Sequence, residues 1–176
     1  MRSLMIRPGG PGDVGAVLTV FDDAVRWLVA RGQPGQWGST PFSEVPETVA
    51  LAEEYAASAG FFVAEHAGRT VGVLVVGQSS EPVPAPSEPE LFVKLLVTDH
   101  SDAARGVGSL LLEHARVLAV TGGVGLLRLD CYAGNGGGLV HYYERQGFTA
   151  TQTFTVDKPD GPWHGQLLER RLPGRR

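Results

Sequence analysis

Arg105-Gly106-Val107-Gly108-Ser109 is the stretch best suited to hold an anion. It follows a nearly continuous apolar run, Leu91–Val97, and a polar turn, and it opens a helical pattern in Val107, Leu110, Leu111, His114, Ala115 and Leu118. Glycines there let the backbone come close to a ligand, so that amides at the helix start can converge on phosphate oxygens, with Arg105 adding a positive charge. Glycine serves a plain strand-to-helix turn equally well, and the stretch alone leaves both readings open. A P-loop is ruled out because Gly108 is followed by Ser109-Leu110, without the lysine that loop requires. A dinucleotide fingerprint would need a repeated strand-helix-strand unit; Asp130 sits loosely where its acidic residue belongs, but no second half follows.

A second constellation runs Asp130-Cys131-Tyr132-Ala133-Gly134-Asn135, then Leu139-Val140-His141-Tyr142-Tyr143-Glu144-Arg145-Gln146-Gly147-Phe148. It reads as a strand, a small-residue turn and a short helix stopped by glycine. Taken bare, Tyr143 is four residues after Leu139 and suits an amphipathic core face. Asn135 suits a helix cap and a ligand contact alike. Cys131 alternates with Leu127 and Leu129 and reads as a small buried hydrophobe rather than a nucleophile. His114, on the apolar helix face, reads as structural; His100, beside Asp99 and Asp102, reads as solvated, and no metal is expected. Glu65, Glu90, Asp130 and His141 are general-base candidates that the sequence does not rank.

The elements that must position these residues can be read along the chain. Leu4–Pro8 is a first strand, and Asp13 is placed to cap a helix with its apolar face at Val14, Val17, Leu18, Phe21, Val25, Leu28 and Val29. A second helix opens at Ser43 or Pro46 and closes by Gly60. Residues 61–65 and 70–76 flank the turn His66-Ala67-Gly68-Arg69 as a hairpin, and the Pro- and Ser-rich segment 79–89 reads as an exposed, mobile connector. A strand at 91–97, a helix from Val107, a strand at 126–132, a helix at 139–145 and strands at 148–156 and 166–172 complete the chain. The expected fold is α/β: a mixed sheet of about seven strands flanked by about four helices, in the order β-α-α-β-β-β-α-β-α-β-β.

With 176 residues, one domain over 1–176 is the default expectation. Apolar runs stop at strand length, short of a bilayer span, and Arg7 interrupts the apolar patch near the N-terminus, where no cleavage site follows. The single cysteine excludes an internal disulfide and a multi-thiolate zinc site, and cytoplasmic residence is expected. A net charge of -4 without a basic stripe argues against nucleic acid as a partner.

Taken together, the two constellations resemble the GNAT superfamily of acyl-CoA-dependent N-acetyltransferases. Its phosphate turn reads Gln/Arg-x-x-Gly-x-Gly/Ala, and its later segment reads roughly Asn, an apolar helix, then Tyr-Glu-x-x-Gly-Phe. Here the first pattern falls on Ala103-Ala104-Arg105-Gly106-Val107-Gly108 and departs from the family at Ala103, which puts one side-chain contact to pyrophosphate in doubt. The resemblance implies acetyl-CoA as acyl donor, its phosphates at Arg105, Gly106, Val107, Gly108 and Ser109, and its pantetheine arm in a splay along Leu95, Leu96 and Val97 with a further contact at Asn135. It also implies direct attack by a primary amine, an oxyanion stabilised by strand amides, and Tyr143 as the acid that protonates the departing thiolate. Trp27, Trp37 and Phe42 fall where the family builds its substrate wall, although as large apolar rings they also suit the core.

The expected activity is therefore acetyl transfer to a small-molecule or peptide amine, with no membrane partner and with a homodimer left open. Two rivals stand beside it: an acyl-CoA sensor without turnover, which the departure at Ala103 keeps open and Tyr143 argues against, and a small enzyme of another kind on an α/β scaffold.

Overall fold

The computed structural model describes residues 3–173, apart from the side chain of Asp102. Seven strands, β1 (Leu4–Pro8), β2 (Phe61–His66), β3 (Arg69–Gly77), β4 (Leu91–Thr98), β5 (Leu126–Tyr132), β6 (Thr149–Lys158) and β7 (Gly161–Arg171), form one mixed sheet in the order β1-β2-β3-β4-β5-β7-β6. Four helices accompany them: α1 (Val14–Ala30), α2 (Pro46–Ala56), α3 (Val107–Thr121) and α4 (Gly138–Arg145). The element order is the one expected. β4 and β5 run parallel, Leu91 to Val93 facing Leu127 to Leu129, as a helical crossover between neighbours requires. β2 and β3 join antiparallel through Ala67 and Gly68, both at positive φ, which matches a two-residue hairpin turn.

Contacts divide the chain into two compact units, one built from the chain up to Val75 with Leu95–Leu111, the other from Val76–Lys94 and the chain from Leu112 on. In the first, α1 buries Val17, Val20, Phe21 and Ala24 against Phe61, Val63, Val73, Val75 and Val97. Gly72 points to the opposite face of β3, where a Cβ would lie 2.7 Å from Val107 Cγ1 and 3.0 Å from Leu111 Cδ1. Its missing side chain therefore seats the first turn of α3 directly on the strand. That seating also sets the phase of α3. Val107, Leu111, Leu112, Ala115 and Ala119 are buried, whereas Leu110, expected on the inner face, is exposed.

Two further expectations are corrected. Asp13 stands at the N-cap of α1 but makes no side-chain cap bond. Its carboxylate instead accepts from Gly10 N–H at 2.9 Å and pairs with Arg7, whose guanidinium also reaches Glu65 at 2.8 Å. The Arg7 bonds hold the Asp13 carboxyl below the usual carboxylate range. In the second unit, the connector expected to be mobile is fastened. Arg128, a cation inside the apolar run of β5, pairs with Glu90 and donates to Ser79 Oγ at 3.2 Å and Pro84 O at 3.0 Å, while Ser79 Oγ donates to Glu90 at 2.5 Å.

Candidate functional site

In the first unit, the backbone leaves β4 at Thr98, turns through Asp99–Ser101 and a short helical turn at Asp102–Ala104, and enters α3 through Arg105 and Gly106. Gly106 has φ +80, a left-handed conformation that a Cβ would disfavour, so this glycine is required by backbone geometry. Leu110 N–H is already bonded to Gly106 C=O at 3.2 Å. Helix geometry leaves the amides of Val107, Gly108 and Ser109 without partners inside α3. Val107 sends its side chain into the core and offers only its amide; Gly108 and Ser109 are partly exposed, and Arg105 is exposed. Ala103 is partly exposed and Ala104 buried, so these two positions bring no side-chain polarity to the surface, which Arg105 beside them does. Val97 belongs to the core cluster and Leu95 packs against it, while Leu96 projects from the other face of β4.

In the second unit, α4 packs on β5 and β6 and carries Tyr143 inward, 8% exposed, with Phe148 edge-on at 6.1 Å and Tyr142 at 5.2 Å. Burial, assisted by Cys131, Tyr142 and Asp130, pushes its phenol well above the usual tyrosine range, so the hydroxyl stays protonated. Cys131 is buried, and burial with the neighbouring Asp130 pushes its thiol up to about 12. Such a thiol is no nucleophile at neutral pH. Asn135 is exposed in a left-handed conformation, φ 56. The N-cap of α4 is Gly137 and no side chain caps it, which removes the capping role for Asn135.

The general-base candidates are separated by their surroundings. Glu65 is paired with Arg7, and Glu90 is locked in the buried pair with Arg128. His141 is exposed, and Asp130 has its carboxyl raised by burial. Of the three aromatic residues named for a substrate wall, Trp37 and Phe42 are partly core: Phe21 stacks on Phe42 at 4.6 Å and meets Trp37 edge-on at 5.6 Å. Trp27 does otherwise. It stacks on His100 at 3.9 Å, while His100 stays exposed, as expected. His114 is half-buried, and burial lowers its imidazole. The Arg128–Glu90 pair and the Trp27–His100 stack were missed in the sequence; the one available signal was an arginine inside the apolar run of β5.

The fold is a mixed α/β sheet with a glycine-led helix after its central parallel strand and a buried tyrosine on the next helix. The family model described as the acetyltransferase (GNAT) domain matches residues 57–150, more than half of the chain. The chain belongs to the GNAT acetyltransferases. No curated protein matches it. Among solved structures it is similar to the ribosomal-protein-alanine N-acetyltransferase of Brucella melitensis, with 23% identity, a TM-score of 0.69, and coverage of 96% of this chain and 99% of that one. An N-acetyltransferase of Staphylococcus aureus Mu50 gives 22% identity and a TM-score of 0.70 over 97% and 99% of the two chains. The Escherichia coli ribosomal-protein-S18-alanine N-acetyltransferase gives 16%, a TM-score of 0.68, and coverage of 99% and 97%. At these identities the likeness speaks for the fold. Among the described residues, no helix is long and apolar enough to cross a membrane.

Proposed function

We propose that residues 1–176 work as one N-acetyltransferase domain that moves an acetyl group from acetyl-CoA to a primary amine of a small molecule or peptide, by direct attack through a tetrahedral intermediate. The observation that carries this reading is the left-handed Gly106 leading into α3, because the helix it opens starts with amides that have no partner inside the helix, the donors that phosphate binding uses. In this reading Arg105, Gly106, Val107, Gly108 and Ser109 hold the phosphates, and Leu95, Leu96 and Val97 present a strand edge to the pantetheine arm. Asn135 contacts its amides, and Tyr143 protonates the leaving thiolate. The lone buried cysteine supports work in the cytoplasm, and an acidic net charge supports an amine partner over nucleic acid. Ala103 keeps open the alternative, an acyl-CoA-binding sensor. Free-thiol release from acetyl-CoA across an amine panel separates the two: turnover supports the enzyme, and binding without turnover supports the sensor.

Gly108→Val is expected to weaken acetyl-CoA binding by about tenfold or more, roughly 1.4 kcal/mol per decade, with the fold retained. Calorimetry on both proteins measures it, and unchanged affinity in a folded variant would remove this turn from the site. Cys131→Ala is expected to keep most turnover and to lose on the order of 1 kcal/mol of stability through lost packing. An acetylated Cys131 peptide after rapid quench, with activity abolished in the variant, would replace direct attack by a covalent route.

A further inference from the structure

The turn between β4 and α3 is gripped from two sides, and one grip is a three-layer stack centred on Trp27. The Arg31 guanidinium carbon lies 3.6 Å from the centre of the Trp27 ring, and the His100 ring lies 3.9 Å from it at an interplanar angle of 7°. Two groups so close to one ring centre would overlap if they shared a face. They must therefore cover opposite faces of the indole, giving the order Arg31, Trp27, His100. Both Arg31 and Trp27 belong to the C-terminal end of α1, with Arg31 the residue that ends it. Trp27 is only partly buried and is not part of the cluster that α1 forms with β2, β3 and β4. The stack thus spends a large aromatic surface on a turn rather than on the core.

The other grip comes from β3. Asp99 N–H donates to Val71 O at 2.9 Å, and the Asp99 carboxylate accepts Ser101 N–H at 2.6 Å and pairs with Arg69 at 2.9 Å. Arg69 also donates to Ser101 Oγ at 2.8 Å, and Ala104 N–H closes onto Ser101 O at 3.1 Å. Asp99 is 8% exposed, so this is a fixed point. Burial, and then Arg31, lower the His100 imidazole, which keeps the ring neutral beside the guanidinium layer. Residues 103 and 104 are alanines. A turn that offers an anion chiefly amides, with Arg105 beside them, depends on amide aim, and that aim is lost when the turn can rock.

We infer that Trp27, backed by Arg31, is a positioning residue that acts through the ring of His100 to hold residues 99–106 in the geometry that aims the α3 amides. This rests on the cofactor reading above for its catalytic consequence, but not for its structural one. Trp27→Ala, Trp27→Phe and wild type are compared in two measurements. In the first, amide hydrogen exchange without any ligand should accelerate about tenfold or more at residues 100–109 in Trp27→Ala, while the amides of Val17–Ala24 keep their protection. In the second, the KM for acetyl-CoA should rise about 5- to 30-fold with kcat within about twofold, the range that loss of one ring stack and one cation–π contact would give. Trp27→Phe should restore most of both. Unchanged exchange at 100–109 in a folded Trp27→Ala protein overturns the inference, and so does acceleration spread evenly over α1. A wild type that neither binds nor turns over acetyl-CoA overturns the cofactor reading instead, and the exchange arm still decides the positioning role.

Discussion

Tyr143→Phe is expected to lower kcat by about 10- to 10,000-fold with little change in acetyl-CoA affinity, while Tyr142→Phe stays nearly silent. The two rings leave α4 about 100 degrees apart, so only one can face a given atom, and Tyr143 is the one carried inward. Phenylalanine keeps the ring against Phe148 and removes only the hydroxyl. Burial raises the phenol, and a group with a raised pKa keeps its proton to higher pH. Tyr143 should therefore impose no alkaline loss of activity below about pH 10, where an ordinary tyrosine would begin to ionise. Steady-state rates for both variants at saturating acetyl-CoA, repeated across pH, measure all of this. Equal, full activity in the two variants would return Tyr143 to the core.

Glu90→Ala is expected to cost about 3–5 kcal/mol of stability, because it leaves the Arg128 guanidinium buried without its counter-charge. The Arg128 and Glu90 side chains are 6% and 4% exposed, so water cannot take the place of the lost partner without opening the structure. The same change removes the bonds from Ser79 to Glu90 and leaves Ser79 held only by Arg128, loosening the segment before β4. Burial works to raise the Glu90 carboxyl, but Arg128 and Ser79 outweigh it and hold the group below the usual carboxylate range. A depressed carboxyl contributes stability that is fully present above about pH 4.3, the ordinary glutamate value, and is lost as pH falls through the lower folded value. Urea unfolding of wild type and Glu90→Ala at pH 7 and pH 3 should show a large gap that narrows in acid. The double replacement Glu90→Leu with Arg128→Met should recover much of the loss, since an apolar pair removes both charges together. A single-variant cost under about 1 kcal/mol would mean that the pair holds nothing.

Neighbouring positions explain why some of this was legible in the sequence. The hairpin at Ala67-Gly68, the inward face of α1 and the glycine that admits α3 are set by residues within a few positions of one another, so periodicity and turn chemistry suffice to find them. The phase of α3 was not legible. Leu110 and Leu112 are equally apolar, and which one is buried follows from Gly72, far back on β3, where the missing Cβ lets Val107 and Leu111 settle. Asp13 is a good cap by type, yet its carboxylate is taken by Arg7, a partner that β1 supplies.

By itself the sequence determined the order of strands and helices and the family, since each is written in local patterns of residue type. Tertiary structure alone decided which charged and aromatic side chains meet. Arg128 finds Glu90 across 38 positions, Glu65 is claimed by Arg7 across 58, and Trp27 finds His100 with β2, β3 and β4 lying between them in the chain. The physical reason is that burying a charge or setting a ring is favourable only when a partner stands within a few ångströms, and that distance is fixed by how strands pair and helices pack.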